Sequence, residues 1–493
     1  MCPCESLVQE VDPRTDSTQS EPVLLGQIDA SLRGPVVLFF WKAIGWLILG
    51  TVLALIAAIK LANPEFLAGH EYFTYGRVFA AALDSLIYGW GCQAVFAVAL
   101  WLMARLCRTQ VKHLGMLYVA WAFWNLAVFW GIVSIFLSGP TSVPGLDLPA
   151  NVTPVLGFSY VMIAMWSVLS FHYRAPGPVY VSQWFLLAAL LLFPWIGFTA
   201  EMAIFYAPAR GVVQSLVNAW YVGSLLWLWF APVALAVIYY LLPKILGRPI
   251  FGYYLSVIAF WTLIAFGAWA GPHYLVYGPV PAWVQTVGIV GNIMLLVPVL
   301  VVSLNLLITV GKNPREVWQS VILRFAVFAA VALALAGFIG AWASPRDVGI
   351  VVNLTQFTLG HVFNLFYAFF SMAMFAAIYY ILPRVLGREW PSAILIKTHF
   401  WSSALGSAAL VLALYFFGWR QGMDLNNPEI DFMAIVREGG LLNQVRIAAV
   451  ALMAVGQLVF AVNFAWMTVG ALCECGCSCL SRLGLLPVGG KFR

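Results

Sequence analysis

The sequence predicts an all-α protein, an integral membrane bundle of twelve helices with internal repeats, and three observations carry that reading. Hydrophobic residues make up 63% of the 493 and charged residues only 9%, against roughly 25% charged in soluble domains. Apolar runs of the ~20 residues needed to cross a bilayer occur twelve times, near 34–62, 78–104, 114–138, 152–173, 179–206, 213–243, 251–276, 282–311, 317–344, 350–383, 393–418 and 443–472. Finally, Ala236 to Trp261, AVIYYLLPKILGRPIFGYYLSVIAFW, returns as AAIYYILPRVLGREWPSAILIKTHFW from Ala376 to Trp401, a constant offset of 140 residues. Both copies place YYxLPxxLGR at one helix end, where the Pro and Gly are expected to break the chain before the next helix. Spans six-seven and ten-eleven are therefore related pairs, and sites are expected between repeats.

Around the spans, residues 1–33 form a polar tail rich in acids and prolines, too poor in apolar surface to fold alone. Residues 34–473 are the membrane domain, and 474–493 a Cys-containing tail. No span resembles a cleavable signal peptide. Basic residues gather in alternate loops, at Arg105, Arg108 and Lys112, at Lys244 and Arg248, and at Arg384, Arg388 and Lys397. The positive-inside bias then places both termini in the cytoplasm. The net charge of +6 reflects that bias, so the implied partner is the lipid bilayer and not nucleic acid.

Few polar groups interrupt the apolar runs, and each invites a bland and a functional reading. Asp84 is expected to make a helix-to-helix hydrogen bond near the outer interface, the alternative being a proton relay. Glu201 is expected among the outer headgroups. His70, His113, His172 and His399 lie in or beside loops and are expected to be solvated. His273, in WAGPHY, and His361, in TLGHVF, sit inside the outer halves of spans seven and ten. At about 1.5 Å per residue their depths differ by roughly 5–10 Å, so they are expected to line one pocket. A neutral histidine bonded to a neighbouring helix competes there with haem or metal ligation. Cys473, Cys475, Cys477 and Cys479 alternate in a way unlike paired zinc ligands; reduced, solvated thiols are expected, with a soft-metal cluster as the alternative.

Gly360-His361-Val362, the YYxLP ends, Trp269 to His273 followed by PAWVQTVG, the Ala219-Trp220-Tyr221 run and the Gly76-Arg77 opening together resemble subunit I of the haem-copper oxidases, in its cbb3-type cytochrome c oxidase branch. The resemblance implies a twelve-helix bundle in a bacterial inner membrane, respiratory electron transfer, and partner membrane or cytochrome subunits.

It also locates departures. Where it implies two axial histidines for a low-spin haem, the chain has Ala82 and Phe363. Where it implies three copper-ligating histidines, the chain has His273, Tyr274 and Gly223, and Gly267 stands at the position of a cross-linked tyrosine. Dioxygen chemistry needs a donor haem, an open haem and a well-held copper, so classical turnover is not expected. Copper is not expected either. If a cofactor is bound, the expectation is a single five-coordinate haem b on His361, with His273 on its far side and Gly360 leaving room for the macrocycle. The rival is a cofactor-free scaffold or assembly subunit of a membrane complex.

Overall fold

The computed structural model describes residues 21–112, 114–207, 209–311 and 314–482, with side chains as far as 471. Twelve helices are long and apolar enough to cross a membrane: α1 (Glu21–Ala62), α2 (Tyr75–Cys107), α3 (Leu114–Ser138), α4 (Thr153–His172), α5 (Val181–Tyr206), α6 (Val212–Leu246), α7 (Tyr253–Leu275), α8 (Ala282–Gly311), α9 (Val321–Ala343), α10 (Gln356–Leu386), α11 (Ala393–Leu425) and α12 (Phe432–Ala471). In hydrocarbon every backbone N–H and C=O must be satisfied within its own segment, which helices do. Among the described residues there is no strand.

Three helices form the centre. The apolar windows of α2, α6 and α10 are 94%, 100% and 100% buried, whereas the other windows are 39% to 56% buried. Each central helix widens into a π-helical stretch, at Ser85–Gly91, Leu225–Phe230 and Asn364–Ser371. These stretches are spaced by the same 140 residues as the sequence repeat, to within one position, so α2 carries a third copy that the side chains alone conceal. The extra residue per π turn re-aims the side chains that follow. Phe230 meets Phe366 and Phe370 at 5.1 and 4.5 Å between ring centroids, and Trp90 donates from Nε1 to Ser371 Oγ at 2.9 Å. The centre is thus an aromatic plug. Toward the basic end, the equivalent Tyr240 and Tyr380 pack edge-on against Trp101 at 5.7 and 6.1 Å.

The repeat ends differ from expectation in one respect. Pro243 and Pro383 do not break their helices, because each sits in the last turn of α6 or α10. Termination falls instead to Gly247 and Gly387, left-handed caps at φ 63° and 65°, a conformation that glycine adopts without steric cost.

Helix α1 starts at Glu21, so residues 21–33 are helical, with Ile28 and Leu32 fully buried. Asp29 accepts from Trp101 Nε1 at 2.9 Å and pairs with Arg105 at 3.2 Å, which is why so polar a stretch stays helical. At the other end the helix of α12 runs on to Arg482, through the expected boundary at 473. The side chains of Cys473, Cys475, Cys477 and Cys479 lie outside the described residues, as do Cys2, Cys4 and His113.

Glycines decide how closely the helices approach. A Cβ on Gly418 would collide with the backbone of Phe357, and one on Gly422 with the carbonyl of Val351. Helix α11 therefore lies backbone to backbone against the segment leading into α10. Gly422→Ala is expected to destabilise the protein by about 1–3 kcal/mol, whereas Gly26→Ala, in open space on α1, should stabilise it by about 0.5–1 kcal/mol. Thermal unfolding in detergent measures both, and equal melting temperatures would refute the contact.

Candidate functional site

His361 lies in the second turn of α10, 5% exposed. Its Nδ1 is 3.4 Å from the Tyr415 hydroxyl on α11. The opposite edge of the ring rests on Gly340 of α9: a Cβ there would stand 3.1 Å from Cε1 and 3.5 Å from Nε2. Asn292 of α8 braces the same spot, donating to the Gly340 carbonyl at 3.0 Å and to Ser344 Oγ at 2.7 Å. Gly360 is not the open face expected of it. A Cβ would come within 2.9 Å of Leu414 Cβ, so its missing side chain admits helix α11.

His273 occupies the short 3-10 turn Pro272–Leu275 that closes α7, also 5% exposed. Its Nδ1 accepts the Gly271 N–H at 3.3 Å, its carbonyl accepts from Asn353 at 3.0 Å, and its ring lies 4.0 Å from that of Tyr274. The turn is clamped by peptide backbone. Gly271, at φ 112°, presses against the Ala219 carbonyl, and a Cβ on Gly288 would stand 2.6 Å from the His273 nitrogen. Across from it, a Cβ on Gly223 would stand 2.5 Å from the Ala270 carbonyl oxygen. Gly267 packs the same way on α6, with Leu228 and Trp227 at 3.0 and 3.2 Å from where its Cβ would be.

The two histidines line one cavity with Tyr274, Asn353, Phe357 and Thr358, and its volume is about 10 Å³. That holds roughly one water molecule. The Nε2 edge of His361, the one iron would need, faces Gly340, where an added Cβ would stand 3.5 Å away. Among the described residues, no three His, Cys, Asp or Glu side chains converge as a metal site would need. At the positions of the expected low-spin ligands, Ala82 is buried and Phe363 stacks on Tyr367 at 5.4 Å and 6°. Tyr367 in turn accepts from Gln457 at 3.0 Å.

Three residues read from sequence as peripheral are interior. His399 is not solvated: it is fully buried, 2.9 Å from the Tyr379 hydroxyl and stacked on Phe460 at 4.6 Å. Glu201 is not among headgroups but 6% exposed, accepting from Thr153 at 3.0 Å. Asp84 makes no interhelical hydrogen bond; it is fully buried, neither oxygen has a partner in normal geometry, and the peptides of Asp147 and Leu148 lie against it. The signal missed was the loop 139–152, which folds down over α2 and α6: Tyr88 donates to the Gly145 carbonyl at 2.7 Å. His70 and His172 are exposed, as expected.

Burial pushes the Asp147 carboxyl in that loop up to about 6, against the amides of Gly145 and Ser142, which favour its ionised form. An acid raised on folding holds its proton in the folded state after the unfolded chain, near 3.8, has lost it. Stability therefore falls as pH rises toward about 6 and is level above. Asp147→Asn should flatten the dependence of melting temperature between about pH 4 and 6; an unchanged slope would refute the assignment. Gly223→His should lower stability without creating a copper site, because Ala270 occupies the space. Stoichiometric copper in that variant would show the clamp to be loose.

Comparison with known proteins places this geometry. The cbb3-type cytochrome c oxidase subunit CcoN1 of Stutzerimonas stutzeri is 26% identical over 439 residues, covering 86% of this chain and 92% of that protein. A bacteroid cytochrome c oxidase subunit 1 homolog of Bradyrhizobium diazoefficiens is 26% identical over 457 residues, covering 88% and 82%. A haem-copper terminal oxidase solved as a dimer by cryo-electron microscopy shares the fold, with a TM-score of 0.62 at 13% identity over 92% of this chain and 84% of that one. The family described as Cytochrome C and Quinol oxidase polypeptide I matches residues 34–470, and the chain, a membrane protein of twelve helices, belongs to that haem-copper oxidase subunit I family.

Proposed function

We propose that this chain is a structural subunit of a membrane electron-transfer complex, a subunit I scaffold that works without the haem-copper reaction. The observation that carries the reading is the close packing of Gly223 on the Ala270 carbonyl. Peptide backbone stands where a copper ligand would have to project, and the neighbouring cavity between His273 and His361 admits about one water molecule. The aromatic plug of Trp90, Phe230, Phe366 and Phe370 supports the same reading at the centre, since those rings fill space between α2, α6 and α10. A single haem b on His361 would need α9 to withdraw from the ring, and Asn292 ties α9 to α8 at that level.

In this role the chain sits in a bacterial cytoplasmic membrane with both termini inside, bound to other membrane or cytochrome subunits. The protein purified from native membranes is expected to carry cytochrome subunits with it, and after their removal to show no Soret band and no stoichiometric haem by pyridine haemochrome. Stoichiometric haem in the isolated chain, lost in His361→Ala, would overturn the proposal in favour of a one-haem protein.

A further inference from the structure

At the end of the bundle that carries the YYxLP turns, α9 begins behind Ser320, whose hydroxyl accepts from the Leu323 amide. Arg324 follows in its first turn. Its side chain sits in a residue only 9% exposed, and its Nε makes no hydrogen bond. Among the described residues no carboxylate pairs with it. The guanidinium lies over the ring of Phe400 on α11, 5.3 Å from the centroid. Next to Phe400, Trp401 stacks on Trp318 of the short helix Pro314–Gln319, at 6.5 Å and 21°. Both indoles are exposed, at 43% and 66%. Lys397, one turn nearer the same end of α11, is exposed as well, while Glu316 is engaged by Arg248 at 3.2 Å.

A guanidinium that no described carboxylate offsets, with its Nε buried and unbonded, favours an anion from outside the chain. Paired indoles at a helix end mark the headgroup level of a bilayer. We infer that Arg324 and Lys397, beside the N-terminal end of α9, bind the phosphate of an anionic phospholipid in the basic, cytoplasm-side leaflet, its glycerol and first acyl carbons lying on the exposed Trp318 and Trp401. A helix N-terminus favours an anion, and the flanking apolar rings select a lipid over a soluble phosphate. This site is independent of whether the chain holds a cofactor.

The test is native mass spectrometry of the delipidated full chain in detergent, titrated with phosphatidylglycerol or phosphatidylcholine, with inorganic phosphate as competitor. Phosphatidylglycerol should bind more tightly than phosphatidylcholine and resist millimolar phosphate. Arg324→Gln should weaken it about fivefold or more, and Arg324→Lys should retain most of the binding. Lys397→Gln combined with Trp401→Ala, both at exposed positions, should also weaken binding, which keeps the test decisive if Arg324→Gln fails to fold. Equal affinity for the two lipids, displacement by phosphate, or parental binding in the folded variants would overturn the site.

Discussion

Backbone-to-backbone contact at glycine is the constraint on which this bundle depends. In lipid there is little hydrophobic gain in bringing helices together, so association relies on close packing and interhelical hydrogen bonds. Gly418 and Gly422 let α11 touch the segment entering α10, and Gly223, Gly271 and Gly288 let the end of α7 wedge between α6 and α8. Each contact uses space that a larger side chain would otherwise need. The same economy that closes the helices together closes the region around His273 and His361.

The polar groups obey a matching constraint. Asn292, Asn353, Tyr415 and Gln457 each meet a partner across helices, as buried groups in a low-dielectric interior must. His361 and His273 are held within this web by a hydroxyl and a peptide N–H. Asp84 is fully buried with neither carboxylate oxygen in a bond of normal geometry. The loop that covers it also carries Asp147, and Glu201 lies close by, so acids gather at the end of the bundle opposite the basic one.

Architecture and chemistry thus separate within one chain. The family match spans nearly the whole membrane domain, and the three central helices keep their 140-residue rhythm of π-helical turns. Their facing side chains are aromatic and mutually packed.

Composition and hydropathy by themselves determined the twelve spans, since crossing a bilayer imposes a length and an apolarity that any single run either has or lacks. Sequence also determined the repeat between spans six-seven and ten-eleven, because Tyr, Pro and Gly recur there in identical positions. It could not reveal the third copy in α2, whose kinship lies in backbone geometry at Ser85–Gly91 and not in residue identity. Nor could it tell that residues 21–33 are helical, because Asp29 finds Trp101 and Arg105 only after α1 and α2 have packed. The two histidines could be placed at similar depth from residue counts, but whether Gly360 faced a macrocycle or Leu414 was decided by the neighbouring helix. His399 makes the same point: its position near a loop suggested water, and the approach of Phe375 and Phe460 removed it. Length and apolarity are properties of a segment, whereas the free volume beside a side chain is a property of the segments packed against it.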